Sequence, residues 1–178
     1  MTRWRPGDRR PDPASMLRVN QAGEYGATRI YAGQLAALGD RHPASRPIGR
    51  MAVQERRHLD HFDALLVARG VRPTLLQPIW SVAGHALGAV TALIGPEAAM
   101  ACTAAVETEI DRHYAEQLRG LGTTDPALAE TISEFQAEEL DHRDTALAAG
   151  AANAPGYPLL TAFIRAGCRA AIALSKRI

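Results

Sequence analysis

Glu55 and His58 stand three residues apart in the stretch "VQERRHLDHF" (53–62), in a stripe that reads Met51, Glu55, His58, Phe62, Leu65. Residues three or four apart share a helix face, so a carboxylate and an imidazole fall among apolar side chains. The arrangement recurs at Glu139 and His142, within Leu128, Ile132, Phe135, Glu139, His142, Ala146. Single carboxylates occupy two further stripes. Glu24 falls among Leu17, Asn20, Ala27, Tyr31, Gln34 and Leu38, and Glu107 among Met100, Ala104, Tyr114 and Leu118. An ionised carboxylate in such surroundings needs a partner or changes its protonation state. Glu24, Glu55, Glu107 and Glu139 would also repel one another if they met in one core. A pair of divalent metal ions resolves both difficulties. One Glu from each of two helices plus Glu-x-x-His from each of two others is the ligand set of a di-iron carboxylate bundle. Hard oxygen donors with only two imidazoles suit iron or manganese, and open positions on such a pair can take O2.

The spacing repeats. Glu24 lies 31 residues before Glu55, and Glu107 lies 32 residues before Glu139. Each single Glu has a Tyr seven residues on, Tyr31 and Tyr114. A lone Glu-x-x-His arises often by chance and is commonly solvated or paired with Arg. Two of them, each preceded by a Glu at nearly the same distance, are hard to reach that way. The tyrosines read either as packing residues or as partners of the site. His61, Asp60, Asp111, His113 and Glu138 read mainly as solvated positions, and Arg56, Arg57 and Arg143 point away from the stripes.

The elements that must position these residues are helical throughout. A first helix starts near Pro13, with Ser15 as a capping candidate, and ends before "GDRHPASRP" at 39–47. A second covers about Ile48–Ala68, a third Leu75–Ile94, a fourth Pro96–Arg119, a fifth Pro126–Ala149 and a sixth Tyr157–Lys176. Gly- and Pro-containing breaks separate them, and no segment alternates like a strand. The expectation is an all-α chain: a four-helix bundle carrying the di-metal site, with two additional apolar or amphipathic helices. Residues 1–12 read as a flexible tail and 13–178 as one domain, with an internal repeat of helix pairs over about 13–69 and 96–149.

A length of 178 residues suits one core, and a formal net charge of +1 gives no field of the kind nucleic acid requires. No nucleic-acid partner is expected. The basic start "MTRWRPGDRRPDP" lacks the apolar run of a signal peptide. Cys102 and Cys168 lie in apolar segments and read as buried, unpaired thiols.

The stretch "LLQPIWSVAGHALGAVTALI" (75–94) carries no charged residue. It reads as a buried helix, or as one lying on a membrane or lining a lipid route. The last helix can present Leu160, Phe163, Ile164, Ala171 and Ile172, with Arg165, Arg169, Lys176 and Arg177 beside them, a pattern that suits an anionic lipid surface. Peripheral membrane attachment is therefore expected. Gly84, Gly88 and Ala92 would let a second helix approach closely, hence a homodimer.

With these residues in view, the chain resembles the demethoxyubiquinone hydroxylases of ubiquinone biosynthesis. The resemblance rests on "LRVNQAGEYGATRIYAGQ" (17–34), "QERRHLDHF" (54–62), "AGHALGAVTALIGPEAAMACTAAVE" (83–107), "HYAEQL" (113–118), "EFQAEELDHRD" (134–144) and "AGCRAAIALSKRI" (166–178). It implies a ferritin-like fold, with Glu24, Glu55, His58, Glu107, Glu139 and His142 as ligands of two iron ions (Fe2+/Fe3+). It implies that Tyr114 and His113 sit beside the site, on the substrate side. "Asn20-Gln21" stands where the family often has Asp and His, so a contact around the site is expected to differ. The implied reaction hydroxylates the ring of a polyprenyl demethoxyubiquinone, with O2 as co-substrate, late in ubiquinone biosynthesis. No nicotinamide or flavin fingerprint is legible, so the reductant is expected from outside or through the quinone itself. The implied partners are the polyprenyl quinone, the membrane surface and another ubiquinone-biosynthesis protein. The implied location is the cytoplasmic face of a bacterial inner membrane. The alternative is a ferritin-like iron-handling protein or another di-iron oxidase without a quinone substrate.

Overall fold

The structure is a computed structural model that describes residues 12–178. All of the expected tail except Asp12 lies outside the described residues. Six α-helices follow one another: α1 (Pro13–Leu38), α2 (Ser45–Ala68), α3 (Gln77–Ile94), α4 (Pro96–Leu121), α5 (Pro126–Ala148) and α6 (Tyr157–Ser175), with a short 3-10 turn at Ala151–Asn153. Among the described residues there is no strand. The chain is an all-α, ferritin-like bundle.

Local chemistry explains the boundaries. Helix α1 is capped by Asp12, not by Ser15: its carboxylate accepts from Ala14 N at 3.1 Å and Ser15 N at 3.2 Å. Pro13 then takes the first helical position, where its missing N–H costs nothing. Ser15 Oγ instead donates to Lys176 O at 3.2 Å, tying the start of α1 to the end of α6. Helix α5 repeats the device, with Asp125 accepting from Leu128 N at 3.1 Å and Pro126 following. Arg69, at the end of α2, pairs with the same Asp125 and fixes that end of the bundle.

Helix α1 packs on α2, α4 packs on α5, and contacts of α1 with α4 and of α2 with α5 close the bundle. The long connection through α3 is the single crossover of a ferritin-type bundle. Of the three apolar clusters in the interior, the smallest joins Ile30, Cys102, Ala105, Val106 and Ile164, and two are larger. One gathers Ala27, Tyr31, Ile48, Met51, Met100 and Ala104. The other gathers Leu17, Phe62, Tyr114, Leu128, Ile132 and Phe135. The stripe carboxylates and imidazoles interrupt these clusters in sequence.

Helix α3 lies against α1 through glycine. A Cβ added at Gly33 would stand 2.1 Å from His85 O, and one at Gly88 would stand 2.0 Å from Ile30 O. The two backbones therefore touch, and no side chain larger than hydrogen fits at either position. The stripe of Gly84, Gly88 and Ala92 is buried by this contact. It serves α1 in the same chain, so it offers no face for the homodimer expected from it. The other side of α3 exposes Ile79, Val82, Val90, Leu93 and Ile94. Helix α6 lies along α4 and exposes Leu159 and Phe163. Among the described residues α6, not α3, is the helix long and apolar enough to cross a membrane.

Candidate metal centre

Each of the six residues expected as ligands is buried: Glu24, Glu55, His58, Glu107, Glu139 and His142 are at most 1% exposed. They converge in two groups whose donor atoms lie within 4.8 Å of one another. The first is Glu24, Glu55, His58 and Glu139, and the second is Glu55, Glu107, Glu139 and His142. Glu55 and Glu139 belong to both. That is the geometry of two neighbouring positions sharing two carboxylates, each with one further Glu and one His of its own.

The imidazoles turn Nδ1 inward. His58 Nδ1 lies 3.1 Å from Glu139 Oε1 and 3.4 Å from Glu24 Oε2. His142 Nδ1 lies 3.1 Å from Glu55 Oε1 and 3.2 Å from Glu139 Oε2. Phe135 stacks on the His58 ring, centroids 4.0 Å apart, and fixes its plane. Glu24 Oε2, both oxygens of Glu55, and Glu107 Oε2 are buried and accept no aligned hydrogen bond. Orphaned buried acceptors are costly, and here they cluster around common points. Hard oxygen donors and two neutral nitrogens fit a pair of divalent cations, with iron or manganese the best match.

The electrostatics carry the same message. Burial pushes the Glu55 carboxyl well up, and repulsion from Glu139, Glu24 and Glu107 adds to it. Glu107 is likewise raised by burial and by Glu139. Burial would lower His58, but hydrogen bonds to Glu139 and Glu24 outweigh it and lift the imidazole to about 10. Burial would raise Glu139, yet hydrogen bonds from His142 and His58 bring it to about 2. The protein alone settles the excess of negative charge with protons, and bound cations would take their place.

The tyrosines are crossed between the two halves of the repeat. Tyr31 on α1 donates to Glu107 Oε1 on α4 at 2.9 Å, and Tyr114 on α4 donates to Glu24 Oε1 on α1. Each orients one unshared carboxylate. His113 points into a buried amide pair. Gln117 Nε2 donates to Asn20 Oδ1 at 2.7 Å and lies 2.7 Å from His113 Nε2. Accepting from an amide requires a neutral ring, and burial, with Lys176 and Arg112 nearby, lowers His113 to about 4. Asn20 and Gln21, the departure noted above, meet Gln117 and Asp63.

Two residues were missed. Glu138, read as solvated, accepts from His58 Nε2 at 2.7 Å. Gln54 accepts from His142 Nε2 at 3.0 Å. The available signal was positional: each immediately precedes the Glu of a Glu-x-x-His. Arg57, expected to point away, pairs with Glu138. Glu109 is also fully buried, and Oε1 accepts from Arg165 Nε at 2.7 Å and Arg169 Nη1 at 2.9 Å. Those two arginines, expected to face lipid, instead pin α6 to α4. Cys102 and Cys168 are both free thiols.

An apolar channel of about 280 Å3 lies between α1, α3, α4 and α6, and none of the six residues lines it. Its wall includes Gly23, next to Glu24 in α1, Ala27, three residues on, and Val106, next to Glu107. Trp80, Phe163 and Cys168 line other parts.

A family profile described as "Ubiquinone biosynthesis protein COQ7" matches residues 12–175. The chain is 51% identical over 177 residues to a 3-demethoxyubiquinol 3-hydroxylase of Rhodospirillum rubrum, covering 97% of this chain and 82% of that protein. It is 53% identical over 166 residues to the NADPH-dependent 3-demethoxyubiquinone 3-hydroxylase, mitochondrial, of Mus musculus, covering 91% and 76%. It is 44% identical over 179 residues to the 5-demethoxyubiquinone hydroxylase, mitochondrial, of Saccharomyces cerevisiae, covering 92% and 77%.

Proposed function

The chain belongs to the COQ7 family of ubiquinone biosynthesis proteins, and on that premise we propose that it hydroxylates the ring of a polyprenyl demethoxyubiquinone at a di-iron centre, using O2. One observation carries the reading: two imidazoles and four buried carboxylates, three of them with orphaned oxygens, form a cluster that shares helices α1 and α4 with the wall of an apolar channel. Glu24, Glu55, His58, Glu107, Glu139 and His142 would hold the irons. When bound, the iron pair supplies O2 activation. In the overall reaction one oxygen atom enters a ring C–H bond. The other leaves as water with two electrons and two protons from an external reductant.

The chain's own residues do the positioning. Glu55 and Glu139, common to both groups, would serve both metal positions, while Tyr31 and Tyr114 hold Glu107 and Glu24 in place. The channel takes the apolar substrate and keeps water out. Its walls α3 and α6 expose Leu93, Ile79, Leu159 and Phe163, and these would rest on the membrane from which a polyprenyl quinone comes. We place the protein peripherally there, on the cytoplasmic face of a bacterial inner membrane. A purely iron-handling protein would share the ligands but leave the apolar channel without a role.

The test is direct. Iron-loaded protein is given a demethoxyquinone, O2 and a reductant, and the product is identified by mass as the substrate plus one oxygen. Glu55→Ala and His142→Ala should each abolish product. Full activity in either variant would sink the proposal.

A further inference from the structure

The two metal positions stand on a near-repeat, and one of its differing pairs lies directly behind the two histidines. Helices α1 and α4 correspond through Glu24 and Glu107, Tyr31 and Tyr114, and Gln34 and Gln117. Even the outer amides match: Gln34 donates to Thr103 Oγ1 on α4 as Gln117 donates to Asn20 Oδ1 on α1. Helices α2 and α5 correspond through Glu55 and Glu139, His58 and His142, and Gln54 and Glu138. Both members of this last pair receive the outward Nε2 of the histidine on the opposite helix, at 3.0 Å for Gln54 and 2.7 Å for Glu138. Both therefore fix the ring so that Nδ1 faces inward as a ligand. Their charge differs. Gln54 offers a neutral amide oxygen and Glu138 a carboxylate.

A carboxylate draws the Nε2 proton more strongly than an amide does, and so makes Nδ1 the better donor to a metal. Glu138 is held in place to do this. Arg57 donates to the same Glu138 oxygen, and its guanidinium lies 5.9 Å over the Phe135 ring that stacks on His58. Arg57 is half exposed, so solvent screens its charge.

We propose that Glu138 makes the position of Glu24, Glu55, His58 and Glu139 the tighter one, filled first. Gln54 leaves the position of Glu55, Glu107, Glu139 and His142 the weaker one. The inference rests on the di-metal reading above. Glu138 acts through His58, so it is a positioning residue. The ligand count is the same at both positions, and the charge of the acceptor behind each histidine sets the order.

The test is an equilibrium titration of the metal-free full chain with Mn2+, followed by electron paramagnetic resonance, which distinguishes singly from doubly loaded protein. Glu138→Gln should weaken the first binding step by about 10–100-fold, until it meets the second. Gln54→Glu should leave the first step alone and tighten the second by about 10–100-fold. A first step unchanged in Glu138→Gln overturns the inference while the di-metal reading stands. Should Glu138→Gln fail to fold, an unchanged second step in Gln54→Glu overturns it equally. Failure of every form to bind Mn2+ overturns both.

Discussion

Tyr31, on α1, donates its hydroxyl to Glu107, on α4, at 2.9 Å inside a fully buried core. The bond ties a carboxylate of one half of the repeat to a phenol of the other. Its removal leaves Glu107 with no partner at either oxygen, since Oε2 has none already. Tyr31→Phe should therefore cost about 1–3 kcal/mol in urea unfolding of the metal-free protein. Equal midpoints for variant and parent would show that the bond contributes nothing.

Metal removal should invert the pH response of stability. Glu55 and Glu107 have folded values raised above 4.5, and His58 is raised from 6.5 to about 10. Groups raised on folding bind more protons in the native state, so their contribution is complete at low pH and is lost as pH rises. His113, lowered from 6.5 to about 4, acts in the opposite sense but only below about 6.5. Chelated protein should thus lose stability between about pH 7 and 9, whereas metal-loaded protein should not. Denaturant melts across that range decide it, and parallel curves for the two forms would count against the centre.

The channel can be narrowed without disturbing the bundle. A Cβ at Gly23 meets nothing within 4 Å, and Gly23 lines the channel one residue from Glu24. Gly23→Leu should raise helix stability by up to about 1 kcal/mol and leave metal content intact. Hydroxylation of a long-tailed quinone should fall, by about tenfold for a loss near 1.4 kcal/mol in transition-state binding. Unchanged turnover would show that the substrate arrives by another route.

Membrane attachment should depend on the outer faces of α3 and α6. Leu93 is 75% exposed and Phe163 77%. Replacing both with Glu should cut co-flotation with vesicles of anionic and zwitterionic phospholipid by more than about tenfold, since each loses roughly 2 kcal/mol of burial and adds a charge. Undiminished flotation would place the contact elsewhere.

The helix order and the six-residue set were legible because helical periodicity reports which residues share a face. Glu24, Glu55 and Glu139 fell in apolar stripes and are buried as a group. The acceptors behind the histidines were not legible. Gln54 and Glu138 are only partly buried and lie off the stripe, so their contacts depend on the neighbouring helix. The same limit applied to Arg165 and Arg169, which look like lipid-facing cations until Glu109 on α4 is placed beneath them. Gly84 and Gly88 announced a close approach, but one sequence does not say whether the approaching helix is its own α1 or another copy's.

The glycine crossing of α1 and α3 gives the channel one stiff side. With Gly33 and Gly88 seated on opposing backbone, α3 has no slack relative to Glu24. The facing side, α6, buries only Ile164 and Ser175 and is pinned through side chains at Arg165 and Arg169. Of the two walls, α6 is the one held by fewer buried side chains, so any breathing of the channel falls to α6 and not to α3.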